Sequence, residues 1–151
     1  MTDPDNPCGG YGNWDGSEHY LGGTPGFENS IFRHNPDLVR PCLYRAATTS
    51  DSGLLITFSE SMLSAGGADP YIYTVNNGIF HPSAAVPVPP DYSSISLTFQ
   101  TKFEPFRIYE MMVKDEISDC AGNLLTDSYI DFGLASLPDS FDLPPSLPAV
   151  K

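Results

Sequence analysis

YEMMVKDEISDCAGNLL, residues 109–125, is the stretch whose reading decides the fold. Tyr109, Met111 and Val113 alternate with Glu110 and Met112, so one face of the run is apolar and the other mixed. Alternation with a period of two marks a half-buried strand. The run then turns polar, and Asp119-Cys-Ala-Gly-Asn123 holds the ingredients of a tight turn. Short Asp and Asn side chains bond nearby backbone, and Gly enters left-handed conformations without a Cβ penalty. A last strand is expected over 127–133, with Ile130 and Phe132 inward. Two strands joined by a structured acidic loop are a common unit of antiparallel β-sandwiches.

Working outward, the same period recurs. GLLITFS at 53–59 puts Leu54, Ile56 and Phe58 on one face, and SISLTFQ at 94–100 does so with Ile95, Leu97 and Phe99. Residues 71–75 (YIYTV) read as a further strand with Tyr71, Tyr73 and Val75 together, followed by an Asn-Gly turn at Asn77-Gly78. Residues 38–47 read as a first strand interrupted by Pro41, which suits a sheet edge. Residues 79–90 hold four prolines and read as an edge strand or a polyproline-like crossover, never a central strand. One helical turn is expected near Ala68.

Composition agrees. The 151 residues include 15 Pro and 13 Gly, which suits short strands cut by turns. Nineteen acids against seven bases leave a net charge of −12. A phosphate backbone calls for a basic stripe, so nucleic acid is excluded as a partner, and an anionic membrane surface with it. No apolar run reaches membrane-span length, and MTDPDNPCGG opens polar, so a secretion signal would lie outside this stretch.

About seven short strands over residues 37–134 predict an all-β, immunoglobulin-like sandwich. It is flanked by extended, turn-rich segments: an irregular segment at 1–36 and a Pro-rich linker at 135–151. Trp14, Tyr20, Phe27 and Phe32 are spaced like anchors that pin the first segment to a surface.

Two resemblances bear on this. LLITFSESM, YTVNNG, SISLTF and YEMMVKDEISDCAGNLL resemble the bacterial Ig-like domain first described in surface-layer proteins. That domain carries L-x-F-S-E, Y-x-[VL]-x-x-G, V-x-L-x-[LF], and Y-x-[LM]-x-V followed by D-x-x-G-N. CGGYGNW (8–14), GGTPG (22–26) and NSIF (29–32) resemble the C-terminal end of a bacterial lamin-tail domain of secreted Bacteroidetes proteins. The resemblances imply a non-enzymatic structural or adhesive module of a secreted or cell-surface protein. Its partners would be neighbouring domains, surface proteins or glycans, and its setting an oxidising compartment.

Candidate sites follow. Asp119 and Asn123 read as turn formers; the alternative is that Asp115, Glu116, Asp119 and Asn123 gather around Ca²⁺. No other cofactor is expected. In an Ig-like sandwich the start of the first strand and the last loop share one end, so Cys42 can reach Cys120. Cys8 is the competing partner for Cys120, and three separate thiols are the remaining possibility. The second functional reading is a carbohydrate-binding accessory module using Tyr11, Trp14, Tyr20 and Tyr92 as stacking platforms. No G-x-S-x-G elbow, phosphate loop or zinc spacing is present, so no catalytic residue is expected.

Overall fold

The computed structural model describes residues 13–34, 36–114 and 116–134. Seven strands form: β1 (Leu43–Thr48), β2 (Gly53–Phe58), β3 (Tyr73–Val75), β4 (Ala84–Val88), β5 (Ser94–Thr98), β6 (Ile108–Val113) and β7 (Tyr129–Gly133). They make a four-stranded sheet, β1-β2-β5-β4, and a three-stranded sheet, β3-β6-β7. All ladders within them are antiparallel. The two sheets pack as a sandwich.

The alternating residues meet between the sheets. Leu54, Ile56, Phe58, Ile95 and Leu97 are buried from one side, and Tyr73, Val75, Tyr109, Met111, Val113 and Phe132 from the other. Each fully buried side chain of this size contributes about 1.5–3 kcal/mol relative to exposure. The four aromatic rings of Phe99, Phe103, Tyr109 and Phe132 close one end of this core.

The strand boundaries differ from the sequence reading in two places, each for a local reason. β1 begins at Leu43, after Pro41, rather than at residue 38. The Pro41 carbonyl instead accepts from the Thr126 N–H at 2.7 Å. Residues Pro70–Ile72 form a 3-10 turn, capped by the Asp69 side chain accepting from the Tyr71 N–H. Tyr71 is therefore turned out, 68% exposed, while Tyr73 is fully buried. The Pro-rich crossover resolves as β4, an edge strand paired with β5. The expected helical turn is α1 (Ser64–Gly67).

The chain enters and leaves the sandwich at opposite poles. Cys42 pairs in parallel with Thr126, and further on the Thr48 hydroxyl lies 3.5 Å from the Gly133 carbonyl. β1 and β7 thus run side by side in the same direction. The acidic loop sits at the entry pole and the aromatic cluster at the exit pole.

Among residues 13–36 that are described, Asn13 and Ile31 are the buried ones. Three of the four expected aromatic anchors are not anchors, with Trp14 64%, Tyr20 88% and Phe27 86% exposed, while Phe32 is 42% exposed. Gly- and Ser-rich chain on either side offers no apolar surface to hold the rings, and Tyr20 packs on its own neighbour His19 instead.

Candidate functional site

Asp119 organises the entry pole. It is fully buried, and its Oδ1 accepts from the N–H groups of Ala121 at 2.9 Å and Asn123 at 2.8 Å. Its Oδ2 accepts from Asn123 Nδ2 at 2.9 Å. Gly122 takes φ +90°, which lets the chain double back so that the Asp119 N–H reaches the Asn123 carbonyl. The turn is the one the sequence predicts.

Two straps fasten this loop to the lead into β1. Asn123 Nδ2 also donates to the Asp37 carbonyl at 3.1 Å. Arg40 donates to the carbonyls of Leu124 and Leu125. Both bridge residues far apart in sequence, which no local spacing announces.

The structure brings together three carboxylates at this pole: Asp37, Glu60 and Asp119, each with an oxygen within 4.8 Å of the others. A hard cation takes oxygen ligands of this kind. The membership differs from the sequence reading. Asp119 belongs to it, Asn123 turns its amide nitrogen toward Asp119, and Asp115 lies outside the described residues. Asp37 and Glu60 have no motif spacing to Asp119 and were missed for that reason.

Glu60 Oε1 is buried and has no hydrogen-bond partner among the described residues. Burial first, then the negative charges of Asp37 and Asp119, raises the Glu60 pKa above its ordinary value of 4.5. Ionised Glu60 is therefore less favourable in the folded chain than in the unfolded one. Its contribution is fully present below pH 4.5 and is lost as the pH rises through the raised value. Glu60→Gln should raise Tm by a few degrees at pH 7, because the amide can donate to either neighbouring carboxylate. The gain should vanish by about pH 4, where wild-type Glu60 is protonated. Thermal melts across that pH range check this; a variant less stable than wild type at pH 7 contradicts it.

Cys42 has a free thiol, so the Cys42–Cys120 bridge is not formed. The Cys42 backbone bonds to Ser59 and bridges to Thr126 in the β7 lead, on the same pole as the acidic loop. No disulfide joins two described residues. Cys8, the alternative partner, lies outside the described residues, as does the contact candidate Tyr11. Tyr92 is half-buried.

A second feature lies where the chain passes from β3 to β4. A cleft of about 510 Å³ is lined by Tyr71, Phe80, His81, Ser83, Gln100 and Thr101 together with apolar neighbours. Sequence reasoning found the Asn-Gly turn beside it but not the cleft. Nothing in FHPS announces that Phe80 turns outward.

The sandwich has counterparts among solved structures. A crystal structure of the S-layer protein SbsC superposes with a TM-score of 0.59 at 14% identity, covering 70% of this chain and 15% of that one. A structure of SbsC domains 1–6 gives 0.59 at 14% identity, over 70% of this chain and 16% of that one. The N-terminal part of SbsC gives 0.57 at 15% identity, over 64% and 24%. The chain thus spans less than a quarter of the length of these proteins. At this identity the likeness is one of fold: a mostly-β sandwich of the S-layer Ig-like kind. No family model and no curated protein matches the chain, and none of these comparisons supports the lamin-tail resemblance of residues 1–36.

Proposed function

We propose that the chain is a structural Ig-like module of a secreted or cell-surface multidomain protein. It spaces neighbouring domains and presents its surface to other proteins or glycans. In this reading residues 1–36 and 135–151 are connections to those neighbours, the first derived from a lamin-tail end. The observation that carries the proposal is the placement of entry and exit at opposite poles. A module so built extends a string of domains, whereas one with both ends at one pole folds the string back. The resemblance to one part of the multidomain S-layer protein SbsC supports the setting. Among the described residues no helix is long and apolar enough to cross a membrane.

The parallel run of β1 beside β7 gives the reading a mechanical consequence. Pulling on the two ends loads the contacts between these strands in shear, so that they must break together. Single-molecule pulling of a tandem concatemer should give discrete unfolding events. Each should release about 300 Å of chain, from roughly 3.4 Å per residue over 37–134 less the folded length. Thr126→Pro removes the N–H that the Pro41 carbonyl accepts, and should lower the unfolding force while the fold persists by circular dichroism. Smooth extension without discrete events would count against a spacer.

The exposed rings of Trp14 and Tyr20 favour a second reading, a carbohydrate-binding accessory module of a secreted enzyme. The titration described next separates the two surfaces.

A further inference from the structure

Phe80 occupies a backbone conformation that its side chain does not favour. The turn before it is well made: Ile79 N–H donates to the Asn76 carbonyl, and Asn77 and Gly78 take φ of 56° and 81°. Asn and Gly tolerate that region. Phe80 then follows at φ 63°, where a bulky residue is strained. Paired hydrogen bonds of 2.9 Å in both directions between Phe80 and Val75 hold it there. The strain gains no burial. Ile79 is 6% exposed, but the Phe80 ring is 66% exposed. Glycine or asparagine would serve the chain reversal better. The pairing with Val75 thus holds the Phe80 ring out at the mouth of the cleft at a cost in backbone strain.

Its neighbours give that function a chemistry. Tyr71, 68% exposed, lines the same cleft and meets His81 edge-on, with ring centroids 5.5 Å apart. His81 Nδ1 lies 2.6 Å from the Tyr73 carbonyl. A carbonyl only accepts, so Nδ1 carries a proton and donates it. The Ser83 hydroxyl donates to the Thr98 carbonyl and keeps its lone pairs. Gln100 and Thr101 complete the wall with amide and hydroxyl groups. Among the described residues no carboxylate, lysine or arginine lines the cleft, although the chain carries a net charge of −12.

We propose that this cleft binds a neutral saccharide. Aromatic faces pack against the C–H faces of sugar rings, and uncharged donors and acceptors match sugar hydroxyls. With no lysine or arginine among the described lining residues, the cleft has no permanent cation to hold a phosphate or a uronic acid. The proposal does not depend on the spacer reading, and titration and pulling are scored separately.

The test is an amide NMR titration of the full chain with cellohexaose, xylohexaose and chitohexaose, and with hexagalacturonate as the anionic comparison. The expected result is saturable shifts with at least one neutral probe, centred on Tyr71, Phe80, His81, Gln100 and Thr101. Phe80→Gly relieves the backbone, so its Tm should equal or exceed that of wild type while affinity falls about tenfold or more, the scale of one lost anchor contact. Tyr71→Ala, at an exposed side chain, should weaken binding similarly and serves if the glycine variant fails to fold. The proposal is overturned by no saturable shift with any neutral probe, by shifts centred on Trp14 and Tyr20, by equal affinity for hexagalacturonate, or by undiminished binding in a folded variant.

Discussion

Asp119→Ala should lower the unfolding free energy by about 3–5 kcal/mol, one of the two largest losses expected from any single change here. Three donors lose their acceptor at once: the N–H groups of Ala121 and Asn123 and the Asn123 side-chain amide. A hydrogen bond to a charged group contributes about 1.5–3 kcal/mol, and donors left unpaired at a buried site cost more than the bond alone. One effect opposes this. Removing the Asp119 charge relieves Glu60, whose ionisation Asp119 disfavours. That relief is the smaller term, because Asp119 ranks last among the causes acting on Glu60. Asp119→Asn separates turn geometry from charge. Its oxygen can keep the two backbone donors, but its nitrogen then faces Asn123 Nδ2, donor against donor. Asn123 can escape only by flipping, which gives up its bond to the Asp37 carbonyl. A loss of about 1–2 kcal/mol is expected for that variant. Urea unfolding with an unchanged m-value reads both numbers. A cost below about 1 kcal/mol for Asp119→Ala would mean that water replaces the carboxylate and the loop is not held by it.

The part of this pole that is local in sequence was legible, and the rest was not. Asp119, Gly122 and Asn123 lie within one turn, and their residue types dictate its geometry. Asp37 and Glu60 join them only because β1 and β2 bring distant segments to the same end, which no spacing encodes. The same division runs through the fold. β5 and β6 alternate cleanly and β2 does so apart from Leu55, and their buried faces are the ones the sequence indicates. Tyr71 looks like part of that pattern, yet Pro70 and the Asp69 cap turn the chain through a 3-10 turn first. The alternation therefore begins two residues late. Trp14, Tyr20 and Phe27 show the converse error: an aromatic's size says how much burial would be worth, not whether a surface exists to bury it. Phe80 was hidden for a third reason, since its left-handed backbone is imposed by the pairing with Val75 and not by its own propensity.

At the opposite pole, Phe103→Ala should cost about 3–5 kcal/mol. Phe103 belongs to no strand, but it is 2% exposed, and its ring lies 5.3, 5.4 and 5.1 Å from those of Phe99, Tyr109 and Phe132. It is the common member of the aromatic cluster. Truncation removes its own burial and leaves a cavity that three rings cannot fill together. Tyr109 is held in place by accepting from the Glu104 N–H at 2.8 Å, and it stacks on Phe132 at 5.6 Å. The Phe103 backbone is tied to the β1–β2 turn through its N–H to the Asp51 carbonyl, so the chain cannot easily sink into the gap. Domains of this kind are stable by about 5–15 kcal/mol in total, so the variant should sit near the edge of folding. Phe103→Leu refills part of the volume and should cost roughly half as much. The internal comparison is Phe106, three residues on, 85% exposed and at φ 60°. Its replacement by Gly should change stability by no more than about 1 kcal/mol, and in the stabilising direction, because a left-handed backbone favours glycine. If Phe103→Ala and Phe106→Gly proved equally costly in urea unfolding, the exit pole would not be sealed by the aromatic cluster. The shear contact between β1 and β7 would then rest on the strands alone.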